Sequence, residues 1–440
     1  LKSPSEFLGY DLGANFTYHH RVVSYFEHVA ESVTHVKIEH YGKTYEQRPL
    51  IVAIVSSPEN MANLERIRND NLKRAGLLEG KPSGKNVGIV WLSYNVHGNE
   101  ANSTEASMKT LYTLADRLNK EAQKWLENTV VILDPCINPD GRDRYANWFR
   151  MTRNRWPNAD PIAREHMEPW PGGRTNHYYF DLNRDWAWQT QTESASRIQL
   201  YNQWLPHVHV DFHEQSPNSP YYFAPAAEPF HEYITDWQRE LQTMIGKNHA
   251  KYFDENNWLY FTKEVFDLLY PSYGDTYPTY NGAIGMTYEQ AGGGGGGVAV
   301  ELTDGDTLTL LDRLTHHHTT SLSTVEVASQ NTDRMLEEFS RFFATGKNKP
   351  SGNYKAYIIP ASNDGDKLSD LKVWLETNGI TYGHAGGTRT YQGFHYQTGK
   401  TQSIKTKTDD LVISAYQPKS VLVQVLFEPN TILRDSLTYD

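Results

Sequence analysis

The sequence predicts an α/β protein in which buried strands alternate with helices, followed by a second, smaller α/β module. Three apolar runs rich in β-branched residues, 87–92, 129–134 and 207–214, have the length and composition of buried strands. A helical pattern at 101–118, in which apolar residues recur every three or four positions, lies between the first two. Alternation of this kind is typical of a sheet covered by helices.

The segments around these runs extend the pattern. Short stretches rich in β-branched residues at 33–39 and 50–56 predict a hairpin-like pair of strands. The strand at 129–134 is followed by Pro-Asp-Gly at 139–141, which predicts a turn. A long helical pattern runs from 307 to 343.

The last part of the chain predicts a separate module. The stretch "GKNKPSGN" at 346–353 is rich in Gly, Pro and Ser, which predicts a linker. We therefore expect a large domain at 1–345 and a small α/β module at 346–440, and we expect the chain to end inside that module. Its predicted elements are a strand at 355–360, a helix at 365–378 and an apolar strand at 420–427.

Composition excludes several classes of protein. The formal net charge of -11 argues against a nucleic-acid partner, which needs a basic surface. Cys136 is the single cysteine, so His and carboxylates remain as candidate metal ligands. No apolar run is long enough to span a bilayer, and we expect no membrane insertion. The chain opens at Leu1 instead of a methionine, which fits removal of a signal peptide or trimming, and we expect a secreted or periplasmic protein.

Polar residues just after the predicted strands supply a candidate metal site. His97 and Glu100 stand three apart in "HGNE" and can point the same way. His213 lies at the end of the run 207–214, where open α/β sheets bind ligands. Catalytic zinc prefers three His or carboxylate ligands and keeps a fourth position for water. A lone His-x-x-Glu is a weak indication of a metal site, so the assignment depends on the other motifs of the chain.

Four motifs stand in order along the chain: "HGNE" at 97–100, "NPDG" at 138–141, "DLNRDW" at 181–186 and "DFHE" at 211–214. Their order and spacing resemble the zinc carboxypeptidases, the carboxypeptidase A- and B-like metallopeptidases. The opening segments "SPSEFLGYDLG" and "YGKTYEQRPL" resemble the larger bacterial members of that family. The resemblance covers roughly the first 345 residues. It implies a mixed, mostly parallel sheet between helices, one zinc ion, and a peptide substrate with a free C-terminal carboxylate.

The resemblance also implies roles for single residues. The family's zinc ligands fall on His97, Glu100 and His213. The asparagine and arginine that hold the substrate's terminal carboxylate fall on Asn183 and Arg184. A planar guanidinium suits this role because it can grip a carboxylate through two parallel hydrogen bonds.

A second arginine of the family polarises the carbonyl group that is cleaved. It lies in a segment rich in Trp and Arg between the "NPDG" and "DLNRDW" motifs, for which "NWFRMTRNR" is the counterpart here. Arg150 is the favoured residue, and Arg153 and Arg155 stay open.

Two glutamates compete for the role of general base. In the family, a tyrosine that folds over the substrate lies about twenty residues before the base, and Tyr270 is its counterpart here. Tyr270 lies 19 residues before Glu289 and 31 before Glu301, so the spacing favours Glu289. Tyr277 falls near the family's specificity position and favours an apolar or aromatic pocket.

Further histidines and one aspartate lie close to the predicted ligands in sequence. His207, His209 and Asp211 share a strand face with His213, and we expect them to form hydrogen bonds beneath the site. The three histidines at 316–318 fan out from a helix and cannot share one metal ion, so they are expected at the surface or an interface.

The predicted function is zinc-dependent hydrolysis of the C-terminal peptide bond by metal-activated water, with Glu289 as general base. Two alternatives stay open. Related zinc folds act on acylated amino acids or cell-wall peptides, which would make the protein a deacylase or a peptidoglycan peptide hydrolase. A non-catalytic zinc-containing binding module is the other alternative.

Overall fold

The computed structural model describes residues 1–432, and it has a mixed eight-stranded sheet at its centre. The strands are β1 (Val36–Lys43), β2 (Pro49–Val55), β3 (Gly88–Tyr94), β4 (Thr129–Asp134), β5 (Val208–Gln215), β6 (Tyr221–Tyr222), β7 (Tyr260–Phe261), β8 (Ile284–Ala291), β9 (Ala299–Glu301), β10 (Thr307–Thr309), β11 (Ala356–Ile359), β12 (Gly383–His384), β13 (Thr390–His395), β14 (Lys400–Lys405) and β15 (Leu411–Ser414).

The helices surround this sheet. They are α1 (Pro4–Leu8), α2 (His19–Ser32), α3 (Pro58–Met61), α4 (Leu64–Arg74), α5 (Asn102–Ala115), α6 (Lys120–Leu126), α7 (Pro139–Thr152), α8 (Thr192–Trp204), α9 (Asp236–Asn256), α10 (Thr276–Tyr280), α11 (Leu310–Gln330), α12 (Thr332–Asn348), α13 (Gly365–Thr377) and α14 (Ser420–Phe427). Across residues 1–432, none of them combines the length and the apolar character needed to cross a bilayer.

The central sheet has the order β1-β2-β4-β3-β5-β8-β6-β7. Strands β4, β3, β5 and β8 are parallel neighbours, whereas β1, β2 and β4 pair antiparallel. Both faces of the central strands are buried, which explains why their sequences are almost continuously apolar. The predicted fold class, a mixed and mostly parallel sheet between helices, is confirmed.

Alternate residues of β3 enter two separate cores. Val90 and Leu92 pack on one face with α2, α5 and α9, while Ile89 and Trp91 pack on the other face with α4 and α8. Helices therefore cover the sheet on both sides. The carboxyl ends of β3, β5 and β8 meet at one edge, where the candidate site lies.

Two predicted segments, a turn and a long helix, differ from the structure. The turn expected at 139–141 is the start of α7, because Asn138 caps the helix by accepting from the backbone N–H of Gly141 at 3.0 Å and proline is favoured at the first helical position. The long helix expected at 307–343 is β10 followed by two helices, α11 and α12, which meet at Asn331.

The C-terminal module contains a three-stranded sheet, β11-β15-β12, a hairpin of β13 and β14, and helices α13 and α14. The strand expected at 420–427 is wrong, since this segment is α14. An apolar run of eight residues fits either element, and periodicity alone cannot separate them. Leu375 and Leu422 share a buried cluster with Trp91 of β3. The division at residue 345 stays a prediction, and residues 433–440 of the expected module lie outside the described residues.

Candidate metal centre and substrate cavity

The three predicted metal ligands come together at the edge of the sheet. His97 and Glu100 lie in the loop that links β3 to α5, and His213 lies near the end of β5. Because β3 and β5 are parallel neighbours, their carboxyl ends bring these side chains to one place. All three residues are at most 5% exposed, so the cluster is sequestered from bulk water.

Glu100 lies between the two imidazole rings. Its Oε1 atom is 2.8 Å from Nδ1 of His97, and its Oε2 atom is 3.0 Å from Nδ1 of His213. Each residue offers one ligand atom, and these three atoms lie within 4.8 Å of one another. Two imidazoles and a carboxylate form a ligand set that zinc prefers in catalytic sites. The group can therefore hold a metal ion.

A carboxylate lies behind each imidazole ring. Nε2 of His97 is 3.0 Å from Oδ1 of Asp181, and Nε2 of His213 is 2.8 Å from Oδ2 of Asp211. Because each carboxylate can accept an Nε2–H, Nδ1, the atom that faces Glu100, is the ring nitrogen that can bind a metal once it has lost its proton. Both rings thus have the orientation that a metal ligand needs, and the residues present fit zinc.

Charges within the cluster shift the pKa values of its members. Burial raises the pKa of Glu100, but the charges of His97 and His213 outweigh burial and hold that pKa well below its usual range. Burial lowers the pKa of His213, while Asp211 and Glu100 raise it well above its usual value. The carboxylates therefore create a negative environment that a cation can balance.

The cluster forms one wall of a cavity of about 380 Å³. Residues from four parts of the chain line it: the loop after β3, the segment before α8, the end of β5, and β8 with the loop before it. The lining residues are His97, Glu100, Arg174, Asn183, Arg184, His213, Glu214, Gln215, Val265, Phe266, Asp267, Tyr273, Asp275, Thr287 and Glu289.

The two candidate bases lie in different places. Glu289 is on β8 opposite His213 in the parallel register, lines the cavity and is 8% exposed. Burial raises its pKa to about 8, and the charge of His213 opposes this rise. Glu301 is an exposed residue of β9 and is not part of the cavity lining. The structure brings Glu289, and not Glu301, to the candidate metal ligands.

Asn183 and Arg184 lie in a short 3-10 turn that Asp181 caps. The side-chain oxygen of Asn183 accepts from the backbone N–H of Gly274 at 2.9 Å, which fixes the amide at the cavity wall. The guanidinium of Arg184 lies over the ring of Tyr273 at 4.6 Å, and one of its N–H groups donates to the carbonyl oxygen of Asn183. Both predicted carboxylate-binding residues therefore face the cavity.

Arg150 is not at the cavity, which corrects the prediction for the second arginine. Its guanidinium donates to the carbonyl oxygen of Phe16 and lies 4.3 Å from the ring of Tyr18. The two alternative arginines are also absent from the cavity lining. Arg153 donates a hydrogen bond to the backbone of Ala14, and Arg155 lies over the ring of Trp156.

Arg174, which is not among the arginines favoured from the sequence, lines the cavity instead. Its Nη1 atom is 3.4 Å from Oε1 of Glu100, and Nη2 donates to Oδ2 of Asp181 at 3.0 Å. A signal was present in the sequence. Arg174 lies in the same stretch rich in Trp and Arg between the "NPDG" and "DLNRDW" motifs, but closer to the second motif.

The two tyrosines singled out in the sequence lie outside the cavity lining. Tyr270 is 37% exposed, accepts from Nε1 of Trp188 at 2.9 Å, and packs against Tyr273 with ring centroids 4.8 Å apart. Tyr273, and not Tyr270, lines the cavity. Tyr277 is fully buried and donates to Asn378 of the C-terminal module, so it does not form the expected apolar pocket.

Of the other polar residues near the ligands in sequence, Asp211 contacts a ligand as expected. His209 bonds to Ser93 in the strand interior, 3.0 Å away. The surface or interface position expected for 316–318 is wrong for His317, which is fully buried and whose Nε2 lies 3.1 Å from the carbonyl oxygen of His213. His317 thus supports the end of β5 from behind.

Comparisons with known proteins agree with the fold. A sequence model of zinc carboxypeptidases matches residues 22–246, just over half of the chain. A metallo-carboxypeptidase from Burkholderia cenocepacia superposes with a TM-score of 0.51 at 13% identity, covering 71% of this chain and 69% of that one. A metallo-carboxypeptidase from Pseudomonas aeruginosa gives a TM-score of 0.47 at 12% identity, covering 72% and 69%. Among curated proteins, none matches significantly.

The Burkholderia structure supports the central fold, and the sequence match covers most of the strands that carry the site. The family uses zinc, and this chain presents a fitting group in His97, Glu100 and His213. The chain belongs to the zinc carboxypeptidase family.

Proposed function

We propose that this protein is a zinc-dependent metallocarboxypeptidase that hydrolyses the last peptide bond of peptides ending in a free carboxylate. One observation carries the proposal. A single cavity is lined by the three candidate metal ligands, by Glu289, and by Asn183 with Arg184. The first group suits a hydrolytic metal ion, and the last pair suits a terminal carboxylate.

His97, Glu100 and His213 would hold the zinc ion through two Nδ1 atoms and a carboxylate. When bound, zinc supplies Lewis-acid chemistry that polarises a carbonyl group and acidifies water. Asp181 and Asp211 keep the two rings in the ligand tautomer, as their 3.0 and 2.8 Å contacts with Nε2 support.

Arg184 and Asn183 bind the substrate's terminal carboxylate. Stacking on Tyr273 and one bond to the carbonyl of Asn183 hold the guanidinium in place, which leaves further N–H groups to face the carboxylate. The side-chain Nδ2 of Asn183, which lies 3.3 Å from Nε2 of His213, is a further donor between Arg184 and the metal cluster. A peptide held by these residues would have its last peptide bond beside the metal cluster, because Asn183 and Arg184 line the same cavity as the three ligands.

Glu289 moves the proton. Its carboxylate takes a proton from the water that attacks the carbonyl carbon, and it then delivers this proton to the amine nitrogen as the C–N bond breaks. Arg174, 3.4 Å from Glu100, donates to the carbonyl oxygen as negative charge develops there. Removal of one such donor lowers rates by about 10²- to 10³-fold in other hydrolases.

The test compares wild-type protein with Glu289→Gln and Glu301→Gln, using release of the C-terminal residue, detected by mass spectrometry, and zinc content. We expect Glu289→Gln to keep its zinc and to lose activity by roughly 10²- to 10⁴-fold, the usual contribution of a general base. Glu301→Gln serves as the matched control and should behave as wild type. Retained activity in Glu289→Gln would refute the assignment of the base.

A substrate panel tests the reaction itself. Peptides with a free terminal carboxylate should be shortened by one residue at a time, while their C-terminal amides should be resistant because Arg184 loses its anionic partner. Activity only on N-acyl amino acids or diaminopimelate-containing muropeptides would support a deacylase or a peptidoglycan hydrolase. Zinc binding without turnover on any member of the panel would support a binding module.

A further inference from the structure

The C-terminal module contacts the two segments that carry the substrate side of the cavity. We call residues 183–191 the carboxylate segment, because it begins with Asn183 and Arg184, and residues 267–281 the cavity loop, because Tyr273 and Asp275 lie in it. The two segments touch directly, since the backbone N–H of Gly274 donates to Asn183 at 2.9 Å. The residues that hold the outer ends of both segments belong to the C-terminal module.

Asn378 follows α13 and joins both segments through one oxygen atom. Its Oδ1 accepts from the hydroxyl of Tyr277, in the cavity loop, at 2.8 Å and from Nε2 of Gln189, in the carboxylate segment, at 2.9 Å. Its Nδ2 donates to the carbonyl oxygen of Trp374 at 2.9 Å, which fixes the direction of the amide. Asn378 is fully buried, so water does not compete for these bonds.

Trp374, on α13, makes a second connection to the same segments. Its indole N–H donates to the carbonyl oxygen of Ala187 at 2.7 Å, and its ring stacks with that of Trp188, with centroids 6.3 Å apart. Trp188 in turn donates to the hydroxyl of Tyr270 at 2.9 Å. The module therefore contacts the carboxylate segment directly and reaches the cavity loop through Trp188.

Lys419 ties the far end of the cavity loop to the module. Its buried ammonium donates to the side-chain oxygen of Asn281 at 2.6 Å and to that of Asn202 at 2.9 Å. The cavity loop is thus held at Tyr277 and at Asn281 by residues of the module. The metal ligands, in contrast, lie in the loop after β3 and near the end of β5 of the central sheet.

We propose that the C-terminal module is a positioning element of the substrate cavity, acting through Asn378 and Trp374. These residues hold the carboxylate segment and the cavity loop at the separation that lets Arg184 and Tyr273 line the same wall. This inference rests on the proposed function, in which the substrate's terminal carboxylate is the ligand of Arg184. Because preorganised groups bind with less loss of conformational entropy, disturbing Asn378 weakens substrate binding and leaves the metal cluster intact.

The test uses the full chain with Asn378→Leu, Tyr277→Phe and, as the matched control on the exposed side of α13, Val373→Ala. Asn378→Leu should raise KM about tenfold, with kcat within about twofold and zinc content unchanged, the signature of lost ground-state binding. Tyr277→Phe removes one donor and keeps the ring, so KM should rise about threefold. Val373→Ala should match wild type.

Hydrogen exchange followed by mass spectrometry gives a readout that does not need activity. Peptides from 183–191 and 267–281 should exchange faster in Asn378→Leu, while peptides from the strands of the central sheet keep their wild-type rates. If Asn378→Leu does not fold, Tyr277→Phe carries both measurements. Unchanged KM and unchanged exchange in a folded variant would overturn the positioning role.

The two proposals fail in different ways. Wild-type protein that releases no C-terminal residue refutes the proposed function, and hydrogen exchange then decides the positioning role alone. Normal release by the wild type, with no change in Asn378→Leu, refutes only the positioning role. A purely structural role predicts lower stability with kcat and KM unchanged in the fraction that remains folded.

Discussion

Asp211→Asn tests whether the carboxylates behind the histidines prepare the metal site. Oδ2 of Asp211 lies 2.8 Å from Nε2 of His213, and Asp211 is fully buried. By accepting the Nε2–H it leaves Nδ1, 3.0 Å from Glu100, as the ligand atom. Asn keeps the size but removes the charge. Loss of such a partner weakens metal binding by about 10- to 100-fold, which corresponds to about 1.4 to 2.7 kcal/mol.

The assay is a titration in which a chromophoric chelator competes with the protein for zinc. Asp267→Asn is the matched control, because Asp267 also lines the cavity but caps the backbone N–H of Leu269 and touches neither histidine. We expect a weaker zinc Kd for Asp211→Asn and a nearly unchanged one for Asp267→Asn. Wild-type affinity in Asp211→Asn, or an equal loss in both variants, would refute the role of the Asp211 carboxylate behind His213.

Three further predictions follow from the cavity and the module. Arg174→Ala should lower kcat by about 10²- to 10³-fold in the C-terminal release assay, whereas Arg150→Ala should stay near wild type. A C-terminal Lys should be released faster than a C-terminal Glu from otherwise identical peptides, because Asp267 and Asp275 line the cavity. Asp267→Asn should lower the ratio of the two release rates. Burial lowers the pKa of Lys419 to about 7. The unfolded chain therefore binds more protons above that pH, and stability rises with pH from there to about 10 by at most about 1.4 kcal/mol per pH unit; in urea denaturation Lys419→Met should flatten this rise.

The metal ligands could be predicted from the sequence because their positions depend on regular structure. His97 follows β3 and His213 lies near the end of β5, two strands whose apolar runs are easy to recognise, and parallel neighbours bring such positions to one edge of a sheet. The spacing from Tyr270 favours Glu289 over Glu301, although Tyr273, three residues later, is the tyrosine that lines the cavity. The structure adds what the pattern lacks, namely the carboxylates Asp181 and Asp211 that orient the rings.

The position of Arg174 at the cavity could not be predicted from strand ends and motif spacing. Between the end of α7 and the start of α8 the chain has no strand and only two short 3-10 turns. Irregular backbone has no period that would relate spacing in sequence to position in space, so Arg150 and Arg174 were equally compatible with the motif order. Loop closure around the site decides between them. The same limitation applies to Tyr270 and Tyr273, which lie three residues apart in an irregular segment.

The role of the C-terminal module was also beyond the sequence, because it depends on tertiary contacts. The apolar pattern of α14 fits a strand as well as a helix, and nothing in the sequence relates Asn378 to Tyr277 or Gln189. The contacts imply that the two sides of the cavity have mostly different supports, which are joined at Asp181, since it contacts His97 and caps the turn of Asn183. Strands and buried carboxylates support the metal ligands, and the module supports the segments proposed to bind substrate. Substitutions at Asp211 should therefore change zinc affinity, while those at Asn378 should change KM, and double variants should show nearly additive free energies because Asp211 and Asn378 share no hydrogen-bond partner.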